Sequence, residues 1–193
     1  DVVVAVVVGI VVVGVVVAVA AVGVVIVVVV AAVDVGGVDL VSTYLPSGSS
    51  SEAAAAKKAA FAADFRPWID SLKRRRRPVL IGGDLNIARD KRDIFHWKSN
   101  QNNSGFLPHE RAWMNDIVSS GWHDLVRQHA GDVDGPYTWW SNRGQARIKD
   151  RGWRIDYFLL NDAAAERFES IRIERQGGLD VSDHAPVILD LKD

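Results

Sequence analysis

Four places along the chain put ionisable or amide side chains at the end of a predicted strand. The side chains are those of Tyr44, Asp84 with Asn86, Asp156, and Asp183 with His184. A carboxylate can take a proton from water, an amide can hold a phosphate oxygen, and a histidine can donate a hydrogen bond to a phosphate. Carboxylates are also the ligands that Mg²⁺ prefers. The set predicts metal-assisted hydrolysis of a phosphodiester.

The spacing of these residues suggests how they cooperate. In an extended segment Asp84 and Asn86 point to the same face, so that one strand end presents both groups. A buried Asp156 would orient the ring of His184 and stabilise its charged form. Asp183 offers a hard oxygen for Mg²⁺.

Each side chain also has a purely structural interpretation. The alternatives are a turn begun by Asp84 and Asn86, a core position for Tyr44, a loop amide bonded to Asp156, and a turn capped by Asp183 and His184. The sequence has no nucleophile elbow, Walker loop, HExxH or CxxC motif that would compete. It has no cysteine, which excludes disulfides and thiolate metal sites. The formal net charge of −1 identifies no partner.

Strands and helices alternate irregularly along the readable part of the chain. Strands are predicted at 38–46, 78–83, 153–160, 170–176 and 185–191, helices at 52–72, 108–121 and 161–168, and a strand followed by a polar loop at 137–152. This order predicts a mixed α/β sandwich with sheets inside and helices outside. The length predicts one domain over residues 1–193.

Residues 1–33 need a separate interpretation because they contain 21 Val, 6 Ala, 3 Gly, 2 Ile and one Asp. The run is long enough for a membrane span. It lacks the Leu, Phe, flanking cations and aromatic belt that such spans usually show. We interpret it as placeholder or incompletely assigned sequence. The alternatives are a membrane segment and a genuine low-complexity stretch.

Several longer motifs occur in a recognisable order. They are "YLPSGS", "GGDLNIA", "NQNNSGFLPHERAW", "YTWWSNRGQARIKDRGWRIDYFLL" and "SDHAPVILDL". Over roughly residues 34–193 the chain resembles the exonuclease III-like apurinic/apyrimidinic endonucleases of the endonuclease/exonuclease/phosphatase superfamily. "GDxN" and "SDH" mark the superfamily, whereas "NSGF…ER" and "WWSNR…GWRIDY" are more particular to the abasic-DNA branch. The resemblance implies a four-layered α/β sandwich with two packed mixed β-sheets flanked by helices.

The resemblance also implies roles for particular residues. The implied catalytic residues are Tyr44, Asp84, Asn86, Asp156 and His184, with Asp183 at the metal. The implied substrate-binding residues are Asn100, Asn103, Trp139, Arg143, Trp153 and Ile155. In a regular strand Trp153 and Ile155 would face away from Asp156, so the strand should bend or end there if all three serve one site. The family's early metal ligands, an Asn and a Glu, cannot be assigned in residues 1–33.

The implied activity is Mg²⁺-dependent cleavage of duplex DNA 5′ to abasic sites, with Mn²⁺ as a substitute metal. The 3′→5′ exonuclease and 3′-phosphatase activities are implied as well, so the partners are duplexes with abasic sites or 3′-blocked ends. We expect a monomer with no membrane partner, in a bacterial-type cytoplasm and associated with the nucleoid. The alternatives are a noncatalytic DNA-binding homologue and a superfamily phosphodiesterase acting on lipid or inositol phosphates.

The basic residues divide into two groups. At ~3.3 Å per residue, the strand that ends at Asp84 would carry the run Arg74–Arg77 about 20 Å from the catalytic end. We therefore expect that run to be a solvated connection between helix and strand. The better candidates for DNA contact are Arg143, Arg147, Lys149 and Arg151, in the loop before the site strand.

Overall fold

The computed structural model describes residues 2–6, 31–176 and 181–192. Within these ranges the strands are β1 (Val2–Val6), β2 (Ala31–Val35), β3 (Val38–Tyr44), β4 (Val79–Asp84), β5 (His123–Asp124), β6 (Asp156–Leu160), β7 (Phe168–Ile173) and β8 (Val187–Leu191). The α-helices are α1 (Glu52–Lys73), α2 (Pro108–Ser119), α3 (Leu125–Ala130) and α4 (Asp162–Ala165). Short 3₁₀ helices cover Lys91–Asp93 and Trp97–Asn100.

The strands form two sheets that pack face to face. The large sheet has the order β2-β3-β4-β6-β5, and the small sheet has the order β1-β8-β7. In the large sheet β3 and β4 are parallel and the other neighbours are antiparallel. Leu80 and Phe158 of the large sheet share a buried cluster with Val187 and Leu189 of the small one. This cluster is the core between the two sheets.

Helices α1 and α2 cover the other face of the large sheet. Phe65 and Ile69 of α1 and Met114 of α2 join Ile81 and Leu159 of the sheet in a second buried cluster. The layers therefore run from helices to large sheet to small sheet, and the mixed α/β class is confirmed. The described residues form three of the four expected layers, and their pairings in the small sheet are antiparallel.

Most predicted elements lie where the sequence places them, but residues 137–152 do not form a strand. Trp139 makes only isolated bridges, to Trp153 and to His184, and turns follow it. Trp140 N–H donates to Asp183 O and Ala185 N–H donates to Thr138 O, which are the two bonds of a single antiparallel bridge between Trp139 and His184. The pairing does not extend into a ladder, because the chain turns over residues 142–150. The sequence reasoning also missed β5 and α3.

The basic run lies at the end of β4 opposite to Asp84, as expected. Arg75 is exposed and pairs with Asp39, and Arg77 is exposed and pairs with Asp34 and Asp39. These contacts belong to the joint between α1 and the start of β4.

Only the backbone of a few residues in the valine-rich segment is described. Val2–Val6 pairs antiparallel with β8, with Val2 opposite Leu191. The interpretation of residues 1–33 otherwise falls on residues 1 and 7–30, which lie outside the described residues. Among the described helices, none combines the length and the apolar character needed to cross a bilayer.

Candidate active site

Three adjacent strands of the large sheet align the central residues of the site. In the parallel pairing of β3 with β4, Tyr44 lies opposite Asp84, and in the antiparallel pairing of β4 with β6, Asp84 lies opposite Asp156. Gly83 allows this approach, because a Cβ there would lie 1.8 Å from the carbonyl oxygen of Thr43. The strand register thus places a phenol and two carboxylates in one row.

A histidine from the loop before β8 completes a compact cluster. Ligand atoms of Asp84, Asp156 and His184 all lie within 4.8 Å of one another. Nδ1 of His184 lies 2.9 Å from Oδ2 of Asp156, whose carboxylate accepts the hydrogen bond. The predicted Asp–His pair is therefore present.

The charge state of His184 follows from its surroundings. Burial acts to lower the pKa of the imidazole, but the hydrogen bond to Asp156 and the charges of Asp156, Asp84 and Asp183 outweigh burial. The pKa of His184 consequently lies above its usual value. A protonated imidazole can donate from its other nitrogen to an anionic oxygen.

Asn86 orients the carboxylate of Asp84, although not in the way that the sequence suggested. Asn86 has φ of 49°, so the two residues do not lie in one extended segment. The turn lets the Asn86 backbone N–H donate to Asp84 Oδ1 at 2.7 Å, while Nδ2 donates to Asp84 Oδ2 at 3.0 Å. Nδ2 also donates to Leu45 O at 2.8 Å. Both carboxylate oxygens of Asp84 are thus held by one neighbour.

The carboxyl group of Asp84 has a pKa close to neutral pH. Its burial, together with the charge of Asp156, raises the pKa of Asp84 to about 7. The N–H of Asn86 and the positive charges of His184 and Lys58 oppose this rise. A carboxyl group with such a pKa can accept a proton from water at physiological pH.

The donor set fits a hard divalent cation. Asp156 is 1% exposed, and its Oδ1 is buried without a hydrogen-bond partner. A buried, unpartnered carboxylate oxygen is costly unless a cation or water satisfies it. Asp183 lies at the edge of this cluster, with Oδ1 at 4.0 Å from His184 Nε2 and Oδ2 accepting from Trp139 Nε1 at 2.8 Å.

Two tryptophans follow His184 in space, because the Trp139 backbone forms bridges both with His184 and with Trp153. Trp139 and Trp153 meet edge to face, with ring centroids 6.1 Å apart, and both are partly exposed. Because β6 begins at Asp156, Trp153 and Ile155 precede the strand, which fulfils the condition for all three to serve one site. Ile155 itself is 6% exposed and lies mainly in the core.

The polar loop before α2 reaches the same region. Asn103 Nδ2 donates to Asn100 Oδ1 at 2.7 Å, which ties the two predicted substrate-binding amides together. A Cβ on Gly105 would lie 3.0 Å from both Asn86 O and the Trp153 ring, so the loop packs directly against the site.

The remaining predicted residues differ in how far solvent can reach them. Tyr44 is 46% exposed and Arg143 is also exposed, so both side chains are open to a ligand. By contrast, Arg147 donates to the backbone carbonyls of Arg175 and Ser182 and lies over the Trp140 ring. Arg147 therefore stabilises the segment before β8 through these hydrogen bonds.

Two buried ion-pair groups were not found from the sequence. Arg154 lies two residues before Asp156 and binds Asp93 and Asp124. A lone arginine in the largely apolar segment that leads into β6 was the available signal. Lys58 pairs with Glu110 beneath Asn86, and the alanine-rich helix around Lys58 gave no such signal.

Comparison with known proteins identifies related chains. The model of the Endonuclease/Exonuclease/phosphatase family matches residues 3–184. An exodeoxyribonuclease of Bacillus subtilis (strain 168) is 40% identical over 116 residues, covering 59% of this chain and 44% of that protein. The DNA repair nuclease APEX1 of Danio rerio is 34% identical over 152 residues, covering 78% of this chain and 47% of that protein. This chain therefore spans about half the length of the curated relatives it matches.

Solved structures agree with the fold. The 3′-5′ exonuclease NExo of Neisseria meningitidis superposes with a TM-score of 0.77 at 26% identity, covering 85% of this chain and 65% of that one. A Neisseria 3′ phosphatase structure, also named NExo and bound to a product DNA hairpin, gives a TM-score of 0.75 at 27% identity over the same shares.

Proposed function

Because this chain belongs to the endonuclease/exonuclease/phosphatase family, we propose that it hydrolyses phosphodiester bonds of duplex DNA on the 5′ side of abasic sites. We include 3′→5′ exonuclease and 3′-phosphatase activities in this proposal, since relatives and structural neighbours carry those names. The observation that carries the proposal is the cluster of Asp84, Asp156 and His184, to which Trp139 is joined by its bridge to His184 and Trp153 by its edge-to-face contact with Trp139.

In the proposed reaction Asp84 takes the proton from the attacking water. Its pKa of about 7 suits this role, and the two hydrogen bonds from Asn86 hold the carboxylate in place. His184, supported by Asp156, donates to a phosphate oxygen and balances the charge that develops there. Tyr44, exposed at the end of β3, approaches the same phosphate.

We propose Mg²⁺ as the cofactor, with Mn²⁺ as a substitute. Carboxylate oxygens at this edge of the sheet would hold it, with Asp183 and the buried, unpartnered Oδ1 of Asp156 among them. When bound, the ion polarises the phosphate and stabilises the departing oxygen.

The proposed preference for abasic nucleotides rests on the apolar side chains of Trp139 and Trp153. Extruding a nucleotide that has no base costs little stacking energy, and an apolar slot favours its bare deoxyribose over an intact nucleotide. Trp139 and Trp153 would line that slot, with Ile155 behind them. Asn100, Asn103 and Arg143 would contact the DNA backbone around it.

We also propose a domain organisation and a cellular location for the chain. Residues 1–193 form one domain that acts as a monomer on DNA. We propose a bacterial-type cytoplasmic location, for which the bacterial exodeoxyribonuclease relatives are the support, and we add association with the nucleoid as a prediction.

The test is incision of a labelled duplex that carries one tetrahydrofuran abasic analogue, with Mg²⁺ and with EDTA. We expect cleavage 5′ to the lesion that requires the metal and falls about 10²- to 10⁴-fold in Asp84→Asn. The matched control is Asp64→Asn, the same substitution at an exposed position of α1, which should cut like the parent.

Three results would count against the proposal. Duplex binding without cleavage would indicate a noncatalytic DNA-binding protein. Hydrolysis of inositol or lipid phosphates in preference to the duplex would indicate another phosphodiesterase of the family. Full activity in Asp84→Asn would remove the assigned base.

A further inference from the structure

We propose that Lys58 is a positioning residue for this hydrolysis: it fixes the turn at Asn86 that presents Asp84 and does so from beneath the site. The inference rests on the proposed function. Lys58 lies on α1, 26 positions before Asp84 in the chain, and no motif in the sequence pointed to it.

The ammonium group of Lys58 is buried and fully engaged. The residue is 5% exposed, and Nζ donates to Asn86 O at 2.9 Å, to Ser47 O at 3.3 Å and to Glu110 Oε1 at 2.6 Å. An ammonium has three N–H donors. Two of them are therefore directed at the segments after β3 and β4, and the third is directed at Glu110 in the first turn of α2.

Glu110 extends this connection to the polar loop. Its Oε2 accepts from Gly105 N at 2.7 Å and from Leu107 N at 2.9 Å. The Lys58–Glu110 pair thus joins the segment after β3, the turn after β4 and the loop before α2. The first segment directly follows Tyr44, and the other two contain Asn86 and Asn103.

The contact matters most at Asn86, where the backbone is left-handed. A positive φ is uncommon for any residue other than glycine, although asparagine tolerates it better than most. The turn is kept by the bond from Lys58 to the Asn86 carbonyl and by the bond from Asn86 Nδ2 to Leu45 O. If the bond to the carbonyl is lost, the turn can relax, and both hydrogen bonds to Asp84 depend on that turn.

Stability alone is a weak reason for this pair. Burial lowers the pKa of Lys58, whereas the hydrogen bond and charge of Glu110 act to raise it. Because of such desolvation, a buried ion pair is often no more stabilising than well-packed apolar residues. A cation in this place is better explained by its three hydrogen bonds, which hold two backbone carbonyl oxygens and one carboxylate oxygen close together.

The experiment compares Lys58→Met, Lys58→Arg and Arg66→Met in the abasic-duplex assay, with thermal unfolding of each protein. Lys58→Met keeps the length of the side chain and removes the donors, so we expect kcat to fall about 10- to 100-fold and KM to change less than about threefold. Lys58→Arg restores donors and should recover most of kcat. Arg66→Met removes an ion pair from α1 to Asp116 of α2, away from Asn86, and should lower Tm with kcat unchanged.

Equal loss of Tm in Lys58→Met and Arg66→Met without a difference in kcat would overturn the inference. If Lys58→Met does not fold, Glu110→Gln replaces it; this variant keeps an acceptor for the Gly105 and Leu107 N–H groups and removes the charge that holds Lys58. An unchanged kcat in Glu110→Gln would then overturn the inference.

Failure of the proposed function is seen separately, because the parent protein would then leave the abasic duplex uncut. In that case the crystal structure of Lys58→Met decides. A backbone at Asn86 that stays left-handed, with both bonds to Asp84 intact, would overturn the positioning role, and a relaxed turn would support it.

Discussion

Replacing Arg154 with methionine should destabilise the protein strongly, and by an amount that depends on pH. The Arg154 side chain is fully buried, and its guanidinium donates to both oxygens of Asp93 and both oxygens of Asp124 at 2.8 to 2.9 Å. Methionine fills much of the space but leaves two buried carboxylates short of a partner. Removing one partner of a buried ion pair lowers the free energy of unfolding by about 3–5 kcal/mol at neutral pH.

The pH dependence gives the sharper test. Burial would raise the pKa of Asp93, but Arg154 and Arg127 outweigh it and hold that pKa at about 2. The folded value lies below the unfolded one, so the parent keeps this stabilisation above about pH 4 and loses it as the pH falls toward 2. Without Arg154, Arg127 alone opposes burial at Asp93, so we expect the folded pKa of Asp93 to rise above the unfolded value, and protonation of this carboxylate at lower pH then restores part of the stability.

The free energy of unfolding should therefore be measured in urea at pH 7.5 and at pH 4.5. We expect the difference between parent and Arg154→Met to shrink by roughly 1 kcal/mol or more at the lower pH, since one pKa unit corresponds to about 1.4 kcal/mol. Arg172→Met is the control, because its pair with Asp190 is largely exposed and worth about 1 kcal/mol or less. A loss from Arg154→Met that is the same at both pH values would refute the electrostatic reasoning.

Three further predictions concern the site and its surroundings. In metal-free protein the carboxyl carbon of Asp84, followed by NMR, should titrate near pH 7 because burial disfavours its charged form; a midpoint below pH 5 would contradict that burial. Gly83→Ala should cost about 3 kcal/mol or more in urea unfolding, because its Cβ would overlap a backbone oxygen of β3, whereas Gly37→Ala, with φ of 80° and open space around it, should cost about 1 kcal/mol. Arg143→Ala should weaken duplex binding several-fold at low salt and Arg76→Ala should not; equal effects would place the DNA elsewhere.

Strand ends were predictable because hydrophobic runs stop abruptly at polar residues. The end of β4 at Asp84 and the Asp156–His184 pair both follow from that pattern together with the resemblance to a family. A condition for the start of β6 was predictable from the sequence. Trp153, Ile155 and Asp156 could serve one site only if a regular strand did not contain all three, and β6 begins at Asp156.

What could not be predicted depends on contacts between distant parts of the chain. The left-handed turn at Asn86 is stabilised by Lys58 and Leu45, which are 28 and 41 positions away. The sequence offered a turn at Asp84 and Asn86 as the structural alternative, because asparagine tolerates a left-handed backbone, whereas the interpretation of the two residues as one extended segment was wrong. In the same way, Asp93 and Asp124 identify Arg154 as an ion-pair centre only after the chain has folded.

The pairing of Tyr44 with Asp84 and of Asp84 with Asp156 ties the site to the assembly of the large sheet. A slip of one residue between β4 and β6 would send Asp156 to the opposite face of the sheet, because side chains alternate along a strand. A misregistered molecule would then lack the cluster of Asp84, Asp156 and His184, and under the proposed function it would be inactive rather than altered in specificity. The register of β4 against its two neighbours is therefore a condition for assembling the proposed site.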